Sequence, residues 1–360
     1  MLRAAQWAAR SSWASELLKG LSSMPLPTVS VIIAAYTAER WDDLREAVAS
    51  VRAQSASALE TIVVVDNNPA LLARSRKEFT DVLVIPNAGR RGASGARNTG
   101  VTASHGEVVA FLDDDAVAKP AWLETLLRHF SDPAVAGAGG WVTPLWRNSQ
   151  PRWFPPEFNW TVGASYPGMP VSAVPVRNVW SNNMAIRRRA FDAAGGFREG
   201  FGKVGTQSAP EDTDLCMRAA ATYPGIWMYE PGAVVGHRVP PQRATVRYFF
   251  RRCFDEGWGK SVLSSHNGLG GSLSAEREYT RLILPRGFIR GLREGLRGSF
   301  SGILRSLALA AGLFLTVTGF TVGRPAGLIA RARSRRRRPG DSADLVSEPL
   351  GEGAFGAHSH

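Results

Sequence analysis

The chain has 360 residues, 44% hydrophobic and 21% charged, with 43 Lys and Arg against 31 Asp and Glu for a formal net charge of +12. This composition is ordinary for a globular chain, long enough for one large α/β domain with appendages or for two domains. Two cysteines, Cys216 and Cys253, exclude a disulfide framework and a cysteine-ligated metal, which fits a reducing cytoplasm. The basic surplus comes with no nucleic-acid motif or aromatic-interleaved platform, so nucleic acid is not expected as a partner. Residues 1–20 lack the clean apolar core of a secretory leader and read as an amphipathic surface helix or a frayed leader.

After the breaker run Pro25-Leu26-Pro27, residues 29–35 (VSVIIAA) predict a buried strand. Residues 41–54 predict a helix, with Leu44, Ala47, Val48 and Val51 at helical spacing and Asp42 and Asp43 in its first turn. Residues 59–65 (LETIVVV) predict a second strand, ending at Asp66-Asn67-Asn68-Pro69, and 82–85 a third, ending at Pro86-Asn87. The small-residue stretch 92–104 predicts a helix, 108–112 a fourth strand and 122–130 the next helix. This alternation implies an α/β fold, a mostly parallel sheet flanked by helices on both faces, in which ligands bind outside the carboxyl ends of the strands. Ala35 and Tyr36, Asp66, Asn87 and the triplet Asp113-Asp114-Asp115 stand at those ends and are expected to line one crevice.

The triplet is the sharpest chemical signal. Three adjacent carboxylates at a strand mouth repel one another unless a positive group sits there, and hard divalent cations prefer oxygen ligands. Successive side chains on an extended segment point to opposite sides, so Asp113 and Asp115 can face one ligand while Asp114 faces away. The competing reading is a turn or N-cap cluster before Pro120-Ala121-Trp122.

Beyond Gly139-Gly140 the texture changes. Residues 141–183 are rich in Trp, Pro and Asn with little helical period, and Trp141, Trp146, Trp153, Trp160 and Trp180 suit a substrate groove or an aromatic patch under an irregular loop. Residues 185–197 predict a helix ending at Gly195-Gly196, and 212–221 another, with Glu211-Asp212 at its start, where the helix dipole favours negative charge. Arginine crowds residues 243–338. The uncharged stretch 306–323 lies between Arg305 and Arg324, at the short edge of a membrane span. A spanning helix, an in-plane or re-entrant helix and a soluble packed helix all fit it. An anionic membrane surface is the expected partner of this basic region, and the Gly-rich tail after Arg335-Arg336-Arg337-Arg338 reads as disordered.

Four stretches in this order carry a resemblance: VSVIIAAYTAERWDDL from Val29, PNAGRRGASGARNTG from Pro86, FLDDDA from Phe111 and PEDTDLCMRA from Pro210. Over about 29–237 the chain resembles the glycosyltransferase family 2 enzymes, which have the GT-A fold and use nucleotide-sugar donors. The resemblance implies a divalent metal, Mn2+ or Mg2+, held by Asp113, Asp115 and His237, with Asp113 also touching the ribose and the imidazole favouring manganese. It implies donor contacts from Ala35, Tyr36, Asp66, Asn87 and Arg97, and Asp212 as the single base of an inverting displacement. Trp180, Asn182 and Glu211 are expected on the acceptor side.

The expected organisation is an N-terminal extension (1–27), a nucleotide-sugar-binding half (28–140), an acceptor-binding and catalytic half of the same domain (141–240), a helical, membrane-associated region (241–330) and a basic then polar tail (331–360). The expected activity is transfer of a sugar to a glycan or lipid-linked acceptor in cell-envelope polysaccharide synthesis, at the cytoplasmic face of the membrane. Alternatives are a sugar nucleotidyltransferase and a non-catalytic sugar- or nucleotide-binding relative. Arg238, Arg243 and Arg247 fit either a diphosphate or lipid clamp or a solvated face.

Overall fold

A computed structural model describes the backbone of residues 26–199, 201–204, 207–267 and 279–336, and side chains over 26–199, 201, 210–264 and 279–323. The expected leader or surface helix in 1–20 and the tail beyond 336 lie outside the described residues.

Strands β1 (Val29–Ala35), β2 (Glu60–Val65), β3 (Leu83–Pro86) and β4 (Val108–Asp113) pair parallel in the order β3-β2-β1-β4. They alternate with helices α1 (Trp41–Arg52), α2 (Pro69–Glu78) and α3 (Ala93–Thr102), and α4 (Trp122–Leu127) follows the short strand β5 (Ala116–Ala118). Strand periodicity of two divides the core into two layers. Val31, Ile33, Val63, Val65, Ala110 and Leu112 face α1, α2 and α4, while Ile32, Ile62, Val64, Val109 and Phe111 face α3 and the later helices α5 (Arg188–Ala193) and α6 (Glu211–Thr222).

The second half of the sheet is mixed. Strand β6 (Val135–Trp146) runs through the Gly139-Gly140 boundary, and residues 185–187, expected as the start of a helix, belong to strand β8 (Asn183–Arg187), with only 188–193 helical. β8 inserts antiparallel between β4 and β6, and β11 (Ile226–Val239) pairs parallel with β6. Short β7 (Val174–Val176) and β5 pair antiparallel with β11, and a separate hairpin joins β9 (Gly202–Val204) to β10 (Gln207–Ala209). The helical reading of 185–197 holds over 188–193 and fails at its start, because NMAI is buried on both faces and shows no period.

Asn183 ties this junction together. Its Oδ1 accepts the Trp122 indole N–H at 2.8 Å, and its Nδ2 donates to the carbonyls of Trp141 (3.0 Å) and Ala233 (2.8 Å). Asn183→Ala leaves a buried donor and two buried acceptors unpaired, each costing about 1–3 kcal/mol. The expected loss of about 3 kcal/mol or more should appear as a lower urea midpoint at unchanged slope.

A third apolar cluster joins the aromatic segment to helices α7 (Val246–Asn267), α8 (Leu284–Leu296) and α9 (Phe300–Arg336) through Phe154, Phe158, Phe249, Cys253, Leu284 and Leu309. Helix α9 continues six residues past 330, to Arg336, into the segment expected as a tail. It runs parallel to α7 at backbone contact. A Cβ on Gly257 would stand 1.9 Å from the Thr316 carbonyl, and one on Gly319 2.1 Å from that of Phe254. Helices α8 and α9 form an antiparallel pair in which a Cβ on Gly302 would meet the Gly291 carbonyl at 2.5 Å.

Candidate active site

β4 delivers Asp113 at its last position, and the chain turns at Asp114 and Asp115 into β5. β5 pairs with β11 in the register Ala116 opposite His237, and the Arg238 N–H donates to the Asp115 carbonyl at 2.9 Å. This register brings His237 to the triplet. His237 Nε2 lies 3.2 Å from Asp115 Oδ1, and one ligand atom each from Asp113, Asp115 and His237 lie within 4.8 Å of one another. Two buried or half-buried carboxylates and an imidazole converging this closely fit a hard or borderline divalent cation. His237 Nδ1 is buried with no hydrogen-bond partner among the described residues.

Arg40 completes the cluster, and sequence reasoning missed it. It ends a one-turn helix (Ala38–Arg40) after β1 and places Nη1 2.8 Å from Asp114 Oδ1 and 2.9 Å from Asp115 Oδ2. Burial pushes the Asp115 carboxyl upward, but His237, then Arg40 and Arg243, outweigh it and hold the group well below the ordinary carboxylate range. Asp114 stands outside the cluster of Asp113, Asp115 and His237 and shares Arg40 Nη1 with Asp115. Burial, with the like charges of Asp115 and Asp113, pushes it up to about 7 against Arg40.

Arg97 of α3 is 5% exposed and bridges the two halves of the site. Its Nη2 lies 2.8 Å from Asp113 Oδ1 and its Nη1 3.3 Å from Glu211 Oε1, at the start of α6. The neighbouring Asp212 accepts the Thr213 backbone N–H at 2.6 Å. Burial first, then the Glu211 charge, raise its pKa to about 7, although the Thr213 hydrogen bond and Arg97 act the other way.

Asp113, Asp115, His237, Arg97, Glu211 and Asp212 all line one cleft of about 1420 Å3, as do Trp180 and Asn182. Asn182 donates to the Gly163 carbonyl at 2.9 Å, and its Oδ1 has no hydrogen-bond partner among the described residues. Ala35, Tyr36, Asp66 and Asn87 stand at the ends of β1, β2 and β3 but do not line this cleft. Tyr36 is exposed, with Arg40 over its ring at 5.3 Å. Asp66 accepts from Asn87 Nδ2 (2.7 Å) and the Gly92 N–H (2.9 Å), while Asn87 Oδ1 accepts from Gly89 N–H and Thr99 Oγ1, both 2.9 Å. These bonds brace the glycine-rich loop before α3.

Of the tryptophans, Trp160 and Trp180 line the cleft, whereas Trp146 and Trp153 pack against Phe154, the latter also against Phe249. Arg243 lines the cleft, Arg247 is exposed, and Arg238 pairs with Asp43 (3.1 Å) and Glu46 on α1. The far wall was also missed: Arg252, Glu256 and Lys260 of α7, with Leu313, Thr316, Val317 and Phe320 of α9.

The family model described as Glycosyl transferase family 2 matches residues 30–195. Glucosyl-dolichyl phosphate glucuronosyltransferase of Haloferax volcanii is 33% identical over 240 residues, which cover 65% of this chain and 77% of that protein. Succinoglycan biosynthesis protein ExoM of Rhizobium meliloti is 28% identical over 263 residues, 68% of this chain and 79% of that protein. Among solved structures, a mannosyltransferase from Pyrobaculum calidifontis in complex with GDP-Man and Mn2+ aligns over 92% of this chain and 96% of its own, with a TM-score of 0.49 and 19% identity.

Proposed function

The chain belongs to glycosyltransferase family 2, and from that premise we propose that it is an inverting enzyme moving a sugar from a nucleoside-diphosphate donor to a lipid-linked or polysaccharide acceptor of the cell envelope. The observation that carries this reading is one cleft with a cation-type ligand set on one side and, across Arg97, a carboxylate held near neutrality. The names of the Haloferax and Rhizobium relatives, one a dolichyl-phosphate glycosyltransferase and one a polysaccharide biosynthesis protein, support the acceptor class.

In this reading Asp113, Asp115 and His237 hold a divalent cation, Mn2+ or Mg2+, which when bound neutralises the leaving diphosphate. Arg97 holds Asp113 and Glu211 in place, and His237 with Arg40 keeps Asp115 ionised. Asp212 takes the acceptor hydroxyl proton on its carboxylate as the hydroxyl oxygen bonds the anomeric carbon and the bond to the diphosphate breaks. One base and one displacement give inversion. Trp180, Asn182 and Glu211 orient the acceptor. Asp66 and Asn87 act on the donor through the loop they brace, beside Ala35 and Tyr36. Residues 28–140 form the donor half, 141–240 the acceptor half and 241–330 the wall that works at the cytoplasmic face of the membrane.

A panel of nucleoside-diphosphate sugars with Mn2+, offered a polyprenyl-phosphate glycan and a soluble glycan, tests this reading. Product with the opposite anomeric configuration supports it, and retained configuration overturns it. Pyrophosphate release from sugar 1-phosphate and nucleoside triphosphate would favour nucleotidyl transfer instead. A base with its pKa raised to about 7 is protonated below that value. The kcat/KM of the free enzyme should therefore rise with pH through about 7 and fall about tenfold per unit below it.

A further inference from the structure

The outer surfaces of α8 and α9 carry no function in the site described above. Helix α8 has three distinct faces when residues are placed about 100° apart. Leu284, Gly287 and Gly291 turn inward and are buried. Phe288, Ile289, Leu292 and Leu296 occupy an adjoining arc and are exposed, Leu296 by 90%. Arg286, Arg293 and Arg297 fill the arc beyond these and are exposed, with no side-chain ion pair among the described residues. The single acidic residue of the helix, Glu294, is already paired with Arg290 and Arg305. Helix α9 continues the pattern, with Phe300, Ile303, Leu307, Phe314 and Val317 exposed along one stripe, Phe300 by 70% and Phe314 by 69%.

Two contiguous apolar stripes beside exposed arginines match a surface that is hydrocarbon at depth and anionic at its boundary. A membrane-spanning α9 does not fit. Its inner face is locked to α7 at backbone contact, and α7 carries the ion pairs Arg252–Glu256 at 3.1 Å and Lys260–Glu256 at 3.5 Å. Threading α9 through hydrocarbon would drag these charges to bilayer depth.

We propose that the exposed apolar stripes of α8 and α9 form an in-plane docking face for an anionic lipid bilayer, with Arg286, Arg293 and Arg297 reaching the headgroups. This deepens the membrane part of the proposed function and rests on it. Leu313, Thr316, Val317 and Phe320 of α9 line the catalytic cleft, and Val317 belongs to both surfaces. Docking therefore sets the cleft beside the lipid phase, where a lipid-linked acceptor is presented.

The test is co-sedimentation of the full chain with phosphatidylcholine vesicles, with and without phosphatidylglycerol, at low and high salt. Binding should need the anionic lipid and weaken with salt. Removing an arginine should lower partition about fivefold, so Arg286→Gln with Arg293→Gln should lower it by about twentyfold or more. Leu292→Glu with Leu296→Glu should lower it at least about tenfold, and the single Leu296→Glu, at a side chain with almost nothing to unpack, guards against misfolding. Wild-type protein that ignores anionic vesicles, or binding unchanged by the leucine substitutions, overturns the proposal. So does a dimer in light scattering that Leu296→Glu dissociates, because the face is then a contact between copies. Vesicle binding needs no donor, and transfer to a soluble acceptor needs no vesicle, so failure here is distinguishable from failure of the transferase reading.

Discussion

Asp212→Asn is expected to lower kcat by about a hundredfold or more while leaving the affinity for the donor nucleotide almost unchanged. A positioned general base contributes typically about 10²–10⁴-fold, and asparagine keeps the shape while removing the proton acceptor. Its Oδ1 can still accept the Thr213 N–H, and the Arg97–Glu211 pair stays intact. Stability should not fall. The folded-state pKa of Asp212 is raised to about 7, so the fold favours the protonated form. The stability that this protonation contributes is complete below the unfolded pKa and lost as pH rises through about 7. At pH 8 the wild type carries the penalty of an ionised group that asparagine lacks, and the melting temperature of the variant should match or exceed wild type. Calorimetry with nucleoside diphosphate is the decisive measurement. A fall in donor affinity as large as the fall in kcat would make Asp212 a binding residue.

Asp115→Asn is expected to bring transfer to background, a loss of about a thousandfold or more, and to weaken Mn2+ binding in the absence of donor. The wild-type carboxylate stays ionised throughout the working pH range, because His237 and Arg40 outweigh its burial. Asparagine supplies no charge to offset a cation or to face Arg40. Alanine is the poorer test, since removing one partner of a buried pair costs about 3–5 kcal/mol and confuses folding with chemistry. Electron paramagnetic resonance of free Mn2+ reads the binding directly. Wild-type Mn2+ affinity in the variant, or full activity of wild type in EDTA, would remove Asp115 from the cation site.

The parallel half of the sheet was readable because each strand is a short apolar run ended by polar residues, and the helices between carry period. The second half hides its strands in weak patterns. β6 passes through Gly137, Gly139 and Gly140, which look like a linker, yet each glycine is required by close packing. A Cβ on Gly137 would meet the Trp227 ring at 2.2 Å, and one on Gly140 the Ala233 carbonyl at 2.0 Å. Asp113, Asp115 and Asp212 stood out in the sequence because they sit at or beside element ends, Asp113 closing β4, Asp115 in the turn after it and Asp212 in the first turn of α6. Arg40 was not, since nothing local in a short turn signals that its partners lie 74 residues on. The stretch 306–323 was ambiguous because small and apolar residues serve packing on α7 on one face and stand exposed on the other.

The insertion of β8 between β4 and β6 bears on the order in which the chain acquires its form. β1 to β4 can pair as soon as they leave the ribosome, but β4 then waits with an open edge until Asn183–Arg187 is made. Until β11 arrives, Asp115 has Arg40 as its early partner and lacks His237. Long-range pairings of this kind form slowly, and an open, apolar β4 edge invites association with other chains. An interrupted chain therefore lacks the assembled cluster of Asp113, Asp115 and His237 and is sticky at the same time. Competence for chemistry and burial of the hazardous edge are gained only when synthesis has passed through the late strands.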